Sequence, residues 1–315
     1  MYLTSLPDHS DPGFDEQLHF SRFQQHNMVF NAISSKSWCP RHVGCLSIKT
    51  VSSGEEWYGI DGRRLAVRPG QFLILNNNQE YSCQIDTTEK VRVFSVFFKK
   101  DFASSILHDA LSGEERSLED PSLSGNTPEF FQTLTDIDPQ LEQHLARLTI
   151  ALDRHGYEPA MMDERLIFLL RHLIRIHTSA MHQASQVNAV RFPTRTEIYR
   201  RLCIARDFMH SSFMEPSELS AIGQAACLSV PQLVRQFKAV FHRTPHQYLT
   251  GVRLAHAARL LKHSFLSVQE ITCSCGFENT SAFCRVFKAQ YGVSPLHFRK
   301  ARQAGTSNLI SIRGV

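Results

Sequence analysis

Two periodicities divide this chain. Between Cys45 and Lys99 apolar residues alternate with polar ones or fall in short β-branched and aromatic runs. From Leu141 onward they recur every three or four positions. In the first stretch, residues 46–51, 65–67, 72–75, 81–85 and 91–98 read as strands, punctuated by Arg68-Pro69-Gly70 and Asn76-Asn77-Asn78. Short strands so punctuated predict a small antiparallel barrel or sandwich. Residues 112–128 read as an exposed connection. Two helices follow, one with Leu141, Leu145, Leu148 and Leu152 on a stripe, the other with Leu166, Leu169, Leu173 and Ile176. Arg171, His172, Arg175 and His177 read as a solvated face, and residues 181–192 as an interdomain linker.

The last third writes one pattern twice. Leu233, Arg235, Phe237, Lys238, Ala239, Phe241, Pro245 and Tyr248 match Phe283, Arg285, Phe287, Lys288, Ala289, Tyr291, Pro295 and Phe298 at a constant offset. Upstream, Leu219, Ile222, Ala226 and Leu228 match Val268, Ile271, Cys275 and Phe277. Repetition on this scale is one supersecondary unit built twice. In the first copy a short helix ends near Cys227, and Ser229-x-x-Gln232 predicts a capping box for the next, with Pro231 in its first turn. In the second, Ser267-x-x-Glu270 predicts a capping box, Gly276 the turn, and Asn279 or Thr280 the next cap. Each copy is a helix-turn-helix. Between them, Thr244-Pro245-His246-Gln247 opens a helix with a third capping box, with Tyr248, Val252, Ala255, Ala258 and Leu261 on its buried face. Its length of about 27 Å suits placing two helices in successive major-groove segments about 34 Å apart.

With the aromatic stripe buried, the outer face of the first post-turn helix shows Gln232, Val234, Arg235 and Lys238. That of the second shows Thr280, Ser281, Arg285 and Lys288. Arg, Gln, Ser and Thr can reach base edges in a major groove, and Val a thymine methyl, so Arg235, Gln232, Val234, Arg285, Thr280 and Ser281 are candidate base contacts. Lys238, Lys288 and Thr244 are candidate phosphate contacts. A lone surface arginine would ordinarily be a solvated charge; the doubling is what singles these out. Charge placement agrees: residues 191–303 hold 16 Lys+Arg against 6 Asp+Glu, whereas residues 1–190 hold 17 against 24. The C-terminal region is therefore basic and the remainder acidic, as a phosphate-binding domain joined to a different one requires.

Residues 217–302 resemble the DNA-binding domain of the AraC/XylS transcription regulators. The resemblance rests on Leu228-Ser229, Arg235-x-Phe237-Lys238, Thr244-Pro245, Leu266-Ser267-Val268-x-Glu270-Ile271, Cys275-Gly276-Phe277, Phe283-x-Arg285-x-Phe287-Lys288 and Tyr291-Gly292-Val293-Ser294-Pro295. It implies a seven-helix, two-motif domain binding an asymmetric DNA site as one polypeptide, with a regulatory domain elsewhere in the chain. Two departures stand out: Cys227 occupies the first turn, where the family usually has Gly, and Val234 a position often polar. The Pro69-Gly70 turn resembles the cupin-like sensor barrel of many such regulators, and the helical pair is one through which they often dimerise. Packing against the barrel would explain the same leucines.

The expected architecture is α+β multidomain: a cupin-like sensor barrel over 1–125, a helical and linker region over 126–190, a double helix-turn-helix domain over 191–303, and a tail over 304–315. Trp38, Trp57, Tyr58 and Tyr81 are candidates for an effector pocket, though core packing explains barrel aromatics equally well. An alternative, a metal-dependent cupin-type enzyme, needs several histidines around the barrel, and none lies between His42 and His108. No catalytic residue, metal or cofactor is therefore expected. A non-specific nucleic-acid binder is the remaining alternative. All eight cysteines read as free thiols, with Cys39/Cys45 and Cys273/Cys275 the pairs to consider for redox chemistry. With neither leader nor long apolar segment, the chain is expected to be cytoplasmic and not bound to membrane. The expected partners are double-stranded promoter DNA, a small-molecule effector, a second copy of the chain, and RNA polymerase if it activates.

Overall fold

The computed structural model describes residues 1–7, 9, 11–114, 129–215 and 218–303, in two compact units that divide between Ser185 and Gln186. Most of the expected connection at 112–128, the 125/126 boundary and the 304–315 tail lie outside the described residues.

Alternation builds the first unit. Its strands are β1 (Tyr2–Leu3), β2 (Met28–Val43), β3 (Ser47–Ser53), β4 (Glu56–Ile60), β5 (Arg63–Val67), β6 (Gln71–Leu75), β7 (Glu80–Phe97) and β8 (Thr135–Asp136). Helices α1 (Glu16–Gln25), α2 (Lys100–Glu114), α3 (Pro139–His155) and α4 (Pro159–Ser185) complete it. The sheet order is β1-β2-β7-β3-β6-β8, with β4 pairing β5 and β7. The hydrogen-bonded path does not return from β8 to β1, so the sheet is open rather than a closed barrel. The long strand β7 organises it: its first half pairs with β4, its second with β3, and β2 runs antiparallel along both.

One sheet face carries Val29, Ile48, Phe72, Val96 and Phe98 against Leu141, Leu148, Leu152, Leu166, Leu169 and Leu173 of α3 and α4. The other carries Tyr58, Ile60, Leu65, Leu73, Leu75, Tyr81, Ile85 and Val93. The leucine stripes are thus buried on the sheet and form no exposed seam. His172 belongs to this packing and not to a solvated face. It is 5% exposed, and its Nε2 lies 2.8 Å from Asp138 Oδ2, the residue that caps α3. His177 is half-buried beside Phe130 and Phe131, and desolvation lowers it to about 4. Residues 81–85 and 91–98, read as two strands, are one. Helix α2 runs into the expected connection, and α4 through the first five residues of the expected linker.

The second unit is α5 (Phe192–Ser211), α6 (Leu219–Ala225), α7 (Val230–Phe241), α8 (Pro245–His263), α9 (Val268–Ser274), α10 (Thr280–Tyr291) and α11 (Pro295–Gln303). Among the described residues that is seven helices, the number the resemblance implies. Helix α8 packs against α5, α7, α9 and α11. It therefore buries two stripes, including Leu249, Leu254, Ala257 and Leu261, and leaves Ala255 of the expected single stripe exposed. Both capping boxes at Thr244 and Ser267 form. The one expected at Ser229 does not. Pro231 at the second helical position withdraws one of the N–H groups such a side chain accepts.

The turns of the two motifs are superimposable in bonding. Leu228 N–H donates to Gly223 O (2.9 Å) and Cys227 N–H to Gln224 O (3.1 Å); Phe277 N–H donates to Thr272 O (3.1 Å) and Gly276 N–H to Cys273 O (3.0 Å). These are Schellman closures, which need a left-handed residue after the helix. Gly276 takes φ +71°, and Cys227, without glycine's freedom, takes φ 51°. A Cβ on Gly276 would lie 2.8 Å from the carbonyl oxygens of Phe213 and Met214. Replacing Gly276 with Ala should therefore cost about 2–3 kcal/mol, from left-handed strain plus collision. Cys227→Gly should instead be neutral to about 1 kcal/mol stabilising, strain relief opposing the greater entropy of the unfolded chain. Urea unfolding of the two variants checks both signs.

Candidate nucleic-acid interface

The aromatic stripe decides what faces outward. Leu233 and Phe237 of α7, and Phe283 and Phe287 of α10, are all 0% exposed. Phe237 packs on Tyr248 of α8 with ring centroids 5.4 Å apart, and Phe287 on Phe298 of α11 at 5.4 Å, the same contact made in each copy. A helix turns about 100° per residue, so once the stripe is buried the rest of each face is set.

Arg235, Lys238, Ser281, Arg285 and Lys288 are exposed; Gln232, Val234 and Thr280 are half-buried at the N-terminal ends of the same helices. Each copy therefore brings its expected residues onto one face of one helix. No described residue hydrogen-bonds or ion-pairs with the side chains of Arg235, Lys238, Arg285 or Lys288. Four cations held in two equivalent pairs without internal partners are available for an external anion. Thr244 stands apart from them. Its hydroxyl accepts from Gln247 N–H at 3.3 Å to start α8, which leaves only its own O–H to donate elsewhere.

Sequence reasoning missed the residues that hold these helices. Gln236 is 2% exposed; its Nε2 donates to Asn188 O at 3.2 Å and its Oε1 accepts from Asn188 N–H at 3.3 Å. Arg201 Nη1 donates to Cys227 O at 3.0 Å, bracing the strained first turn, while its Nε pairs with Glu197 at 2.8 Å. The hydrogen bond from Arg201 holds the Glu197 carboxyl below its ordinary range. Arg253 Nε donates to Phe213 O at 2.8 Å and its Nη2 to Glu215 O at 3.0 Å. A signal for Gln236 was present in the repeat: its counterpart fifty residues on is Val286, so the copies differ at an inward position.

In the N-terminal unit three of the four aromatics expected at an effector pocket border one depression and the fourth borders another cavity. Tyr58 and Tyr81 are buried, at 1% and 3% exposed, while Trp38 is 55% exposed and Trp57 half-buried. Trp57 and Tyr58 are adjacent in β4, and successive strand residues point to opposite faces. Trp38, Trp57 and Tyr58 border an open outer depression of about 430 Å³, whereas Tyr81 borders a separate cavity of about 440 Å³ with Phe20, Phe23, His42, Asn77 and Phe97. Among the described residues no three His, Cys, Asp or Glu side chains are grouped to hold a metal ion, and no helix is long and apolar enough to cross a membrane.

Comparison with known proteins matches two segments of the chain. Residues 222–301 match a helix-turn-helix domain family and residues 41–170 an AraC-like ligand binding domain family. The HTH-type transcriptional activator RhaS of Escherichia fergusonii is 37% identical over 97 residues, 31% of this chain and 35% of that protein. The HTH-type transcriptional regulator AlkR of Acinetobacter baylyi is 27% identical over 155 residues, 48% of each. The chain thus spans about half or less of the length of these relatives. Among solved structures, the DNA-binding domain of AdpA in complex with a target DNA matches with TM-score 0.33 and 28% identity, covering 34% of this chain and 96% of that one. ToxT from Vibrio cholerae matches with TM-score 0.35 and 12% identity over 87% of this chain and 97% of that one.

The Gln236 tether yields a stability prediction. Gln236→Ala leaves the backbone N–H and C=O of Asn188 without their partner and opens a void, so unfolding should become easier by about 2 kcal/mol. Arg235→Ala, which removes no internal bond, should stay within about 0.5 kcal/mol. Chemical denaturation of both variants separates the two roles.

Proposed function

We propose that the chain is an AraC/XylS-type, sequence-specific DNA-binding transcription regulator, not an enzyme, acting in the cytoplasm. The observation that carries this reading is the twin pair Arg235/Lys238 and Arg285/Lys288, exposed at equivalent turns of α7 and α10 and free of described partners. Helix α8, 19 residues or about 28 Å long, joins the two motifs and suits engagement of successive major-groove segments of one duplex.

In this reading Arg235 and Arg285 bond guanine edges, Gln232, Thr280 and Ser281 reach neighbouring bases, and Val234 meets a thymine methyl. Lys238 and Lys288 neutralise phosphates, with Thr244 donating its O–H to another. The N-terminal unit takes a small-molecule effector; the 440 Å³ cavity beside Tyr81 and Phe97 has the volume of a ligand site. A second copy of the chain, joined through the outer faces of α3 and α4, is a further partner. Exposed Ile150 and Phe168 on those helices support it. RNA polymerase joins them if the protein activates.

The test is a matrix of operator variants against single substitutions. Arg285→Ala should cost about 1–3 kcal/mol of binding and relax preference at one base position. Lys288→Ala should weaken all duplexes alike and lower the salt slope by about one. If the two behave identically across the matrix, the division of roles fails. Random duplex competing as well as promoter DNA at physiological salt would favour the non-specific binder instead.

A further inference from the structure

The sheet register makes a pairing that spacing along the chain hides. Cys39 of β2 stands directly opposite Cys83 of β7. Directly opposed antiparallel residues have Cα atoms about 4.5–5.5 Å apart, inside the disulfide range of about 4.4–6.8 Å. The register then shifts between Cys39 and His42, and this irregularity returns the His42 ring to Cys39, with Nδ1 3.4 Å from Sγ. Phe20 and Tyr81 hold that ring, at centroid distances of 4.6 and 4.3 Å. Cys39, Cys83 and His42 all border one cavity of about 60 Å³, which admits a few water-sized molecules. His9, His19, Ser37, Glu56 and Ser95 also line it.

We propose that Cys39 and Cys83 are a hydroperoxide-reactive dithiol, Cys39 attacking and Cys83 resolving, which closes to a disulfide between β2 and β7. The Cys39 thiolate attacks one oxygen of hydrogen peroxide; the S–O bond forms as the O–O bond breaks, and hydroxide leaves to be protonated to water. The Cys83 sulfur then attacks the sulfenic sulfur of Cys39, forming the S–S bond as the S–O bond breaks. The departing oxygen takes the Cys83 proton and leaves as water. Two thiols lose two electrons, and one peroxide becomes two waters.

The assignment of roles follows the surroundings. The facing Cys83 thiol, and then His42, hold Cys39 below the ordinary thiol range against the opposing effect of burial. The same contact, with burial and the nearby Glu56 carboxylate, pushes Cys83 up, so it keeps its proton for the second step; Lys49 acts weakly the other way. Neither pair suggested by spacing matches this. Cys45 lies beyond β2 on the other cavity, and burial raises it to about 11. Cys273 is exposed while Cys275 is buried, two residues apart on a helical turn.

The experiment uses the reduced full chain, treated with hydrogen peroxide, alkylated, and mapped by mass spectrometry under non-reducing conditions. A loss of two hydrogens is expected, with one cross-linked peptide pair joining positions 39 and 83 and six alkylated thiols. In C83S, dimedone should capture a sulfenic acid at Cys39. In H42Q, oxidation of Cys39 at neutral pH should slow several-fold. Oxidised wild-type chain in which Cys39 and Cys83 remain separately alkylated, while Cys227, Cys273 or Cys284 is consumed, would overturn the proposal. So would a link from Cys39 to Cys45. None of these readouts involves DNA, so they stand or fall apart from the regulatory reading.

Discussion

Aromatic burial at the helix crossings fixes everything the C-terminal unit can do. Phe237 under α7 and Phe287 under α10 exclude water completely, and each meets an aromatic ring on the next helix. A fully buried Phe contributes about 2–3 kcal/mol, and each motif also buries Leu233 or Phe283 one turn earlier. Rotating either helix by two residues, about 200°, would expose these rings and bury the arginine two positions before them. The orientation of Arg235 and Arg285 is thus a consequence of hydrophobic packing, independent of any bond the arginines make.

The two copies reach one geometry by different local means. In the second, Gly276 and Gly292 supply left-handed backbone at both helix ends, and Asn279 Oδ1 caps α10 by accepting from Ala282 N–H at 2.7 Å. In the first, Cys227 and His242 hold those left-handed positions, and Ser229 makes no side-chain cap. What compensates is tethering from outside the motif. Arg201 binds the carbonyl of Cys227, and Gln236 clasps the backbone of Asn188. The first motif depends on its neighbours for rigidity; the second carries more of it in its own sequence.

This contrast explains what the sequence disclosed. Caps, turn glycines and the i, i+4 aromatics are local or periodic, so the paired motifs, the α8 start and the outward arginines were legible before any coordinates. Residues whose partners are remote in sequence were not. Gln236 finds Asn188, His172 finds Asp138, and Cys39 finds Cys83, each across more than thirty residues. The second half of β2 carried no strand signal, because Ser34 to Val43 is largely polar, includes Pro40, and is buried only at Cys39. The four aromatics are divided between two cavities for a different reason. Their residue type suited a pocket, but strand alternation and β-sheet register, not composition, decide which side of a wall each one occupies.

Charge needs the same distinction between presence and availability. The C-terminal region carries a net +10 by sequence, yet several of its cations are bound to the protein itself. Arg195 donates to Ala189 O, Arg201 to Cys227 O, Arg253 to Phe213 O and Glu215 O, and Arg299 to Leu266 O, while Arg200 pairs with Glu197. A guanidinium engaged with a carbonyl still adds to the long-range field that draws a polyanion inward. Only a cation free to sit against a phosphate displaces a condensed counterion and steepens the salt dependence. The arginines therefore divide into those that build the two helices and those the helices present. In the proposed function, the basic count governs how strongly the unit attracts nucleic acid, and the side chains on α7 and α10 without partners among the described residues govern how it discriminates.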